Sequence, residues 1–179
     1  MEMEMEKRKR GDAYVSLARE TIEAYARTGK MTEVPKGLPE EMYSERAGVF
    51  VSIKKDGMLR GCIGTIRAAY PSIAEEIVHN AVSASTKDPR FSPIGEEELD
   101  KLTISVDVLG DMESIDSPDQ LDVKRYGVVV TKGYRRGLLL PNLEGVNTVE
   151  EQVLIAKQKA GIGATEDVSL ERFEVVRHY

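Results

Sequence analysis

Apolar and polar positions alternate along several short stretches of this chain. The first two are residues 47–54 and Met58–Ile66, and the polar segment Lys55–Gly57 separates them. A period of two is typical of β-strands with one buried face, and a short glycine-containing segment between two strands predicts a tight turn. These stretches therefore predict an antiparallel hairpin. The same pattern predicts further strands at residues 102–109, 127–131, 137–140 and 170–176.

Three other stretches repeat their apolar residues at helical spacing. The first begins after Asp12, whose side chain is suited to capping a helix, and ends at Gly29. The second begins near Pro71. The third lies between Thr148, which forms a capping-box pattern with the glutamate three residues later, and Gly161. The sequence therefore predicts three helices interspersed among the strands.

The order of these elements indicates the fold class. Hairpins pair neighbouring strands antiparallel, so we expect an α+β fold with a mainly antiparallel sheet of five to six strands and helices packed on one face. No internal repeat is evident. Residues 110–124, which are rich in aspartate, are expected to form an exposed connection. Residues 1–11 have no apolar face and are expected to form a disordered tail, which leaves residues 12–179 as a single domain.

Composition narrows the class of protein. The 179 residues are 41% hydrophobic, which is ordinary for a globular core, and the net charge of −6 disfavours a general nucleic-acid-binding role. No apolar run reaches membrane-spanning length and no signal peptide is visible, so we expect a cytoplasmic protein without membrane contact. With one cysteine and two histidines far apart in sequence, the chain shows no zinc-type cluster, and neither a metal nor a cofactor is expected.

The strand at Met58–Ile66 carries the most informative chemistry. It contains the only cysteine, Cys62, between Gly61 and Gly64, and the cation Arg60 precedes them. Glycine is a poor strand former, so the pair suggests a bulge or a close approach by a ligand or another backbone. Cys62 is either a reactive thiol favoured by the charge of Arg60, or a small buried side chain. Arg60 is otherwise a charge on a solvated face.

A second group of candidates lies in the segment Asp88–Phe91. Its proline excludes regular helix, so a rigid turn is expected, with Phe91 in the core. Asp88 and Arg90 would then either be available to a ligand or pair with each other to brace the turn.

Two residues could act as a base for Cys62. His79 lies on the second helix beside Glu75 and Glu76, on a flank that the apolar stripe predicts to be solvated. Asp107 lies on the polar side of the strand at residues 102–109 and could open onto the site or face solvent.

The segment Leu59–Thr65, which reads LRGCIGT, resembles the signature of the AMMECR-domain family. Further segments match that family in the same order and extend the resemblance over about residues 12–178: Asp88–Phe91, Ile104–Leu109, Tyr126–Val128, Arg136–Pro141 and Gln158–Gly161. The resemblance implies an α+β domain often described as two lobes of unequal size. It also implies that Arg90 lies near Cys62.

This family has no settled reaction, and the resemblance instead suggests partners. The chain is similar to protein A of the AmmeMemoRadiSam system, which implies association with a MEMO-type protein and a radical-SAM protein. The first hypothesis is thus an accessory protein that binds an unknown small molecule or a partner through the surface of Arg60, Gly61, Gly64, Thr65, Asp88 and Arg90.

Two other functions are compatible with the residues. The chain could be a thiol-dependent enzyme with Cys62 as nucleophile and Arg60 or Arg90 binding an anionic group. It could also bind RNA through the basic hairpin tip at Arg135 and Arg136, although the acidic overall charge disfavours this.

Overall fold

The computed structural model describes residues 11–179, so the predicted tail lies outside the described residues except for Gly11. The chain divides into two compact units. Unit 1 contains the described residues up to Leu109 together with Val176–Tyr179, and unit 2 contains Gly110–Val175. Within the described part of the chain, no helix has the length and apolar character needed to cross a membrane.

The elements are as follows in chain order. The α-helices are α1 (Ala13–Thr28), α2 (Glu40–Ser44), α3 (Ile73–Thr86) and α4 (Val149–Ala160). The strands are β1 (Val49–Lys55), β2 (Met58–Gly64), β3 (Leu102–Leu109), β4 (Glu113–Ile115), β5 (Gly127–Lys132), β6 (Arg135–Leu139), β7 (Ser169–Phe173) and β8 (Val175–His178). Short 3-10 turns occupy Glu96–Lys101 and Pro118–Gln120.

The α+β class and the antiparallel pairing of the hairpins are confirmed. One sheet has the order β2-β1-β3-β8 and the other β4-β7-β5-β6. In the first sheet, β1 pairs antiparallel with both β2 and β3, and in the second β5 pairs antiparallel with both β6 and β7. The predicted helix ends are also confirmed: Asp12 and Thr148 cap α1 and α4 with their side chains, and Gly29 and Gly161 end these helices in the left-handed conformation.

The number and distribution of strands differ from the prediction. Within residues 11–179, eight strands form two sheets of four, whereas the sequence indicated one sheet of five to six. The predicted strand at residues 170–176 is interrupted at Glu174, whose carbonyl oxygen accepts a hydrogen bond from the Gly110 amide (2.8 Å), and its two parts join different sheets. The acidic segment 110–124 is not merely a connection, because it contains the edge strand β4.

The two faces of the first sheet have different roles. Val49, Val51 and Ile53 of β1 point to one side and are completely buried in the core of unit 1, which also contains apolar residues of α1 and α3. Phe50 and Ser52 point to the other side and are half-buried. The polar side chains of β1 and of the strands beside it therefore lie on the face that points away from this core.

Each unit packs one helix against one hairpin, and both do so with a buried amide side chain. In unit 1, Asn80 of α3 donates from Nδ2 to the carbonyl oxygen of Val49 at the start of β1 (3.0 Å). In unit 2, Gln152 of α4 donates from Nε2 to the carbonyl oxygen of Tyr126, just before β5 (2.8 Å). The helix is thus tied to the beginning of the hairpin in each unit.

Four residues further along each helix, a backbone carbonyl approaches a glycine of the second strand. A Cβ atom on Gly61 would overlap the carbonyl oxygen of Ala84, and a Cβ atom on Gly137 would overlap that of Ala156. The strand partners of these glycines also correspond, namely Ile53 and Val130. The two units therefore share one hairpin–helix packing scheme that was not evident in the sequence.

Candidate functional site

Strand β2 contains a β-bulge beside the glycine-cysteine sequence. Gly61 is the partner of Ile53, but Leu59 is the partner of Lys54, so Arg60 is an extra residue without a partner on β1. The hairpin of unit 2 has no such insertion, since its pairing continues in register from Val128↔Leu139 to Lys132↔Arg135. The bulge suggested by the glycines is present, and the backbone that Gly61 admits belongs to α3.

Arg60 is committed to contacts within the protein. Its guanidinium donates to both carboxylate oxygens of Glu98 (3.0 and 3.1 Å) and to the carbonyl oxygen of Ser92 (2.8 Å), and its side chain is only 13% exposed. Lys55 also contacts Glu98 (2.9 Å). The hydrogen bond from Arg60 is the main cause that lowers the pKa of Glu98 to about 2. Arg60 therefore braces the segment that precedes β3, and most of its side chain is turned away from solvent.

Asp88 joins Cys62 to Arg90. Its Oδ2 atom accepts a hydrogen bond from the backbone amide of Cys62 (3.0 Å) and another from Arg90 Nη2 (2.8 Å). Its Oδ1 atom accepts from Arg90 Nε (3.0 Å) and from the Arg90 amide (3.1 Å). The Asp88 and Arg90 side chains thus pair with each other, as one of the two alternatives predicted, and the same carboxylate oxygen brings Arg90 to the edge of β2.

The environment of Asp88 keeps its charge. Asp88 is only 4% exposed, yet its pKa is lowered to about 2. The hydrogen bond from the Arg90 side chain is the largest cause, burial opposes it, and the amides of Cys62 and Arg90 add to the lowering. A buried carboxylate that accepts four hydrogen bonds holds its donors in a fixed arrangement.

Acid should weaken the fold through Asp88. Because its pKa is depressed from 3.8 to about 2, its charged form stabilises the folded state above about pH 4, and this contribution is lost as the pH falls from about 4 to about 2. A shift of this size corresponds to roughly 2 kcal/mol. We expect Asp88→Asn to lower the free energy of unfolding at pH 7 by about 2 kcal/mol and to flatten its pH dependence below about pH 4, as measured by urea denaturation.

A matched control for this variant is Asp100→Asn, at an exposed carboxylate of the same unit. It should change the free energy of unfolding at pH 7 by less than about 0.5 kcal/mol. An Asp88→Asn protein that kept the full acid dependence would contradict the role of Asp88.

The Cys62 thiol lies on the half-buried polar face of the sheet. Its Sγ atom is 3.3 Å from the hydroxyl oxygen of Ser52, the residue opposite it on β1. Ser52 is also the partner of Ser105 on β3, so one thiol and two hydroxyl-bearing residues form a row across three strands. This row can offer hydrogen bonds to a molecule lying on the sheet.

Arg90 is accessible near the edge of β2 at Cys62. Its side chain is 52% exposed, and the centre of its guanidinium lies 5.4 Å from the centroid of the Phe91 ring. Phe91 was expected in the core, but it is half-buried and lies beneath the guanidinium groups of both Arg60 and Arg90. The aromatic ring therefore supports the arginines instead of filling the core of unit 1.

Thr65 takes part in a buried network with a glutamate whose burial was not predicted. Its hydroxyl donates to Glu76 Oε2 (2.6 Å) and accepts from Asn80 Nδ2 (3.2 Å). Glu76 was expected on the solvated flank of α3, but it is completely buried, and its Oε1 atom accepts hydrogen bonds from the amides of Ala69 and Tyr70. Glu76 and Asn80 lie one helical turn apart beside the apolar stripe, which is the only sequence signal that could have identified them.

The predicted bases for Cys62 have other partners. His79 stacks on the ring of Tyr70, with 3.8 Å between the ring centroids. Asp107 is 1% exposed and accepts a hydrogen bond from Arg177 Nε (2.7 Å). Burial raises the pKa of Asp107, and the Arg177 guanidinium opposes that rise. Among residues 11–179, no three His, Cys, Asp or Glu side chains are grouped so that they could hold a metal ion.

The basic hairpin tip of unit 2 is largely neutralised. Arg135 forms an ion pair with Glu166 (3.1 Å) and donates to the carbonyl oxygen of Gly161 (2.9 Å). Arg136 forms an ion pair with Glu171 (3.2 Å). These pairs reduce the positive charge that contact with RNA phosphates would require.

Comparison with known proteins identifies the class of this α+β chain. The fold matches the crystal structure of an uncharacterised protein from Pyrococcus horikoshii with a TM-score of 0.86, at 36% identity over 94% of this chain and 90% of that one. The protein-family model AMMECR1 matches residues 15–178. The chain therefore belongs to the AMMECR1 family.

Two bacterial relatives are more similar in sequence. A protein of Clostridium acetobutylicum is 53% identical over 96% of this chain, but this match spans only 37% of that relative's own length. A protein of Thermotoga maritima is 51% identical over 92% of this chain and 96% of its own length.

Proposed function

We propose that this protein is an accessory or binding protein that acts through the surface formed by Arg60–Thr65 and the segment Asp88–Arg90. The observation that carries this proposal is the arrangement around Asp88, in which one buried carboxylate oxygen bonds both the Cys62 amide and the Arg90 guanidinium. The backbone of β2 at Cys62 and a half-exposed cation are thereby held next to each other. Fixed polar groups of this kind favour recognition because little conformational freedom is lost on binding.

The comparison of the two units supports this choice of residues. Both units use a glycine and a helical amide to pack the hairpin on the helix, so those residues are explained by packing. The position that follows the glycine is Cys62 in unit 1 and Leu138 in unit 2, and in unit 2 the carbonyl oxygen of Leu138 accepts a hydrogen bond from Lys159 (2.9 Å). The thiol, Asp88 and Arg90 are therefore not required by the shared packing scheme.

The alternative function, a thiol-dependent enzyme with Cys62 as nucleophile, receives less support. The Cys62 thiol contacts the hydroxyl of Ser52, which is a poor base at neutral pH. The candidate bases His79 and Asp107 are engaged by Tyr70 and Arg177. Binding requires only the groups that are already assembled.

The proposed partners are a MEMO-type protein and a radical-SAM protein, with the complex located in the cytoplasm. The proposal rests on the similarity of the chain to protein A of the AmmeMemoRadiSam system. The Clostridium relative is consistent with a role beside other domains, because most of its length lies outside the match to this chain.

Co-purification tests this proposal. The tagged protein is used to capture the MEMO-type and radical-SAM proteins encoded in the same genome, and Arg90→Ala should reduce capture at least about tenfold, as expected when a central arginine of an interface is removed. Arg27→Ala is a matched control, because Arg27 is 53% exposed, pairs with carboxylates and belongs to the same unit. Equal capture by the wild type, Arg90→Ala and Arg27→Ala would contradict a role for this surface.

A further inference from the structure

We infer that the molecule recognised at this surface is a small carboxylate-bearing compound, whose carboxylate lies on the outer edge of the Arg90 guanidinium, next to the Cys62 thiol. This inference rests on the proposed function and names the chemistry of its ligand. It is carried by the way in which Arg90 is held.

Asp88 orients the guanidinium of Arg90 by binding one of its edges. Nε and one hydrogen of Nη2 are occupied by the two oxygens of Asp88 (3.0 and 2.8 Å). Within the described residues, Nη1 and the second hydrogen of Nη2 have no hydrogen-bond partner, and the side chain is 52% exposed. The free edge presents two parallel N–H groups, a geometry that matches the two oxygens of a carboxylate.

The distance between the cation and the strand is limited by their shared partner. Arg90 Nη2 and the Cys62 amide nitrogen both bond Asp88 Oδ2, so they are no further apart than these two bonds, 2.8 and 3.0 Å, placed end to end. A carboxylate on the outer edge of Arg90 would therefore lie close to the edge of β2 at Cys62.

Charge favours a singly charged group. Asp88 already balances much of the Arg90 charge, so the pair would attract a carboxylate more readily than it would compensate a doubly charged phosphate.

The edge of β2 also argues for a small molecule instead of an added peptide strand. A strand that joined β2 at Cys62 would need the outward amide of that residue, but this amide already donates to Asp88. The groups left for recognition are therefore side chains on the face of the sheet and the guanidinium.

Alkylation of Cys62 tests this inference without knowledge of the natural ligand. Iodoacetate and iodoacetamide have nearly the same size and react in the same way: the thiolate sulfur forms a bond to the CH₂ carbon, and iodide leaves with the electron pair of the broken C–I bond. Only iodoacetate carries a carboxylate. The quantity measured is the ratio of the iodoacetate rate to the iodoacetamide rate in the native protein, divided by the same ratio in the urea-unfolded chain.

We expect this normalised ratio to be about ten in the wild type, because one charge-assisted two-point contact would favour iodoacetate by about this factor. In Arg90→Gln the ratio should fall to about one. Arg27→Gln should retain the wild-type ratio. If Arg90→Gln opens the structure, its iodoacetamide rate will rise to that of the unfolded chain. In that case Arg90→Lys is used instead of Arg90→Gln. Lysine keeps the positive charge but lacks the two parallel N–H groups, so this variant should lower the ratio at least about threefold.

A normalised ratio near one in the wild type would overturn the inference, as would a thiol that neither reagent modifies in the native state. Addition of succinate should slow iodoacetate labelling more than phosphate does at equal ionic strength, and the reverse order would overturn the choice of carboxylate. Failure of co-purification together with a high ratio would reject the proposed partners and retain the carboxylate site. Successful co-purification with a ratio near one would reject the carboxylate alone.

Discussion

Gly61→Ala is expected to destabilise unit 1 by about 3 kcal/mol, measured as the free energy of unfolding in urea. The added methyl group would overlap the carbonyl oxygen of Ala84, which belongs to the backbone of α3 and cannot rotate away. The helix is also tied to β1 by the hydrogen bond from Asn80, so it cannot move back without breaking a buried contact. Relief would require separation of α3 from the hairpin.

The same change can be compared at two other glycines. Gly137→Ala should be similarly destabilising, because its methyl group would overlap the carbonyl oxygen of Ala156 in the corresponding place of unit 2. Gly163→Ala is the control, since only the flexible side chain of Glu166 lies near its Cβ position and its effect should be below about 1 kcal/mol. A Gly61→Ala protein as stable as the Gly163→Ala protein would refute the packing scheme.

Glu76→Ala should lower the free energy of unfolding by about 3 kcal/mol. The substitution removes the acceptor of three hydrogen bonds, from the Thr65 hydroxyl and the amides of Ala69 and Tyr70. These groups lose their partner in a region where the glutamate was completely buried. The segment between β2 and α3 should therefore loosen, which hydrogen exchange at the two amides would report.

Glu75→Ala is the matched control for this variant, because Glu75 lies at the adjacent position of α3 and is half-exposed. Its effect should be within about 0.5 kcal/mol of zero. Similar losses from both substitutions would mean that the loss of negative charge in the first turn of α3, and not the buried network, determines the result.

The parts of the fold that depend on neighbouring residues were predictable. Asp12, Gly29 and Gly161 act on backbone groups within a few positions, and Asp56 and Gly57 adopt the positive φ values that a tight hairpin turn requires. The division into two sheets was not predictable in this way, because it depends on pairings between distant segments. The pattern of apolar and polar residues around Glu174 does not indicate that the strand is interrupted there.

The sequence identified the residues of the candidate site better than it predicted the contacts between them. Cys62, Asp88 and Arg90 were identified from the sequence, but the bond between the Cys62 amide and Asp88 joins residues far apart in the chain. Arg60 could not be separated from Arg90 by residue type, although a bulge directs the first towards Glu98 and leaves the second half-exposed. Glu76 was misplaced because periodicity assigns charged residues to the solvated side, whereas loop amides satisfy this carboxylate inside the protein.

If Cys62 belongs to a surface that a ligand can reach, its thiol must react with a small reagent while the protein is folded. The rate of modification by the neutral reagent iodoacetamide is compared between the folded protein and the urea-unfolded chain at one pH. Because Cys62 is half-buried on the polar face of the sheet, we expect its rate in the folded protein to be about tenfold to a hundredfold below the rate in the unfolded chain. Low concentrations of denaturant should not change the rate in the folded protein. A thiol that reacts only at the rate of global unfolding would show that no ligand reaches Cys62 in the folded protein.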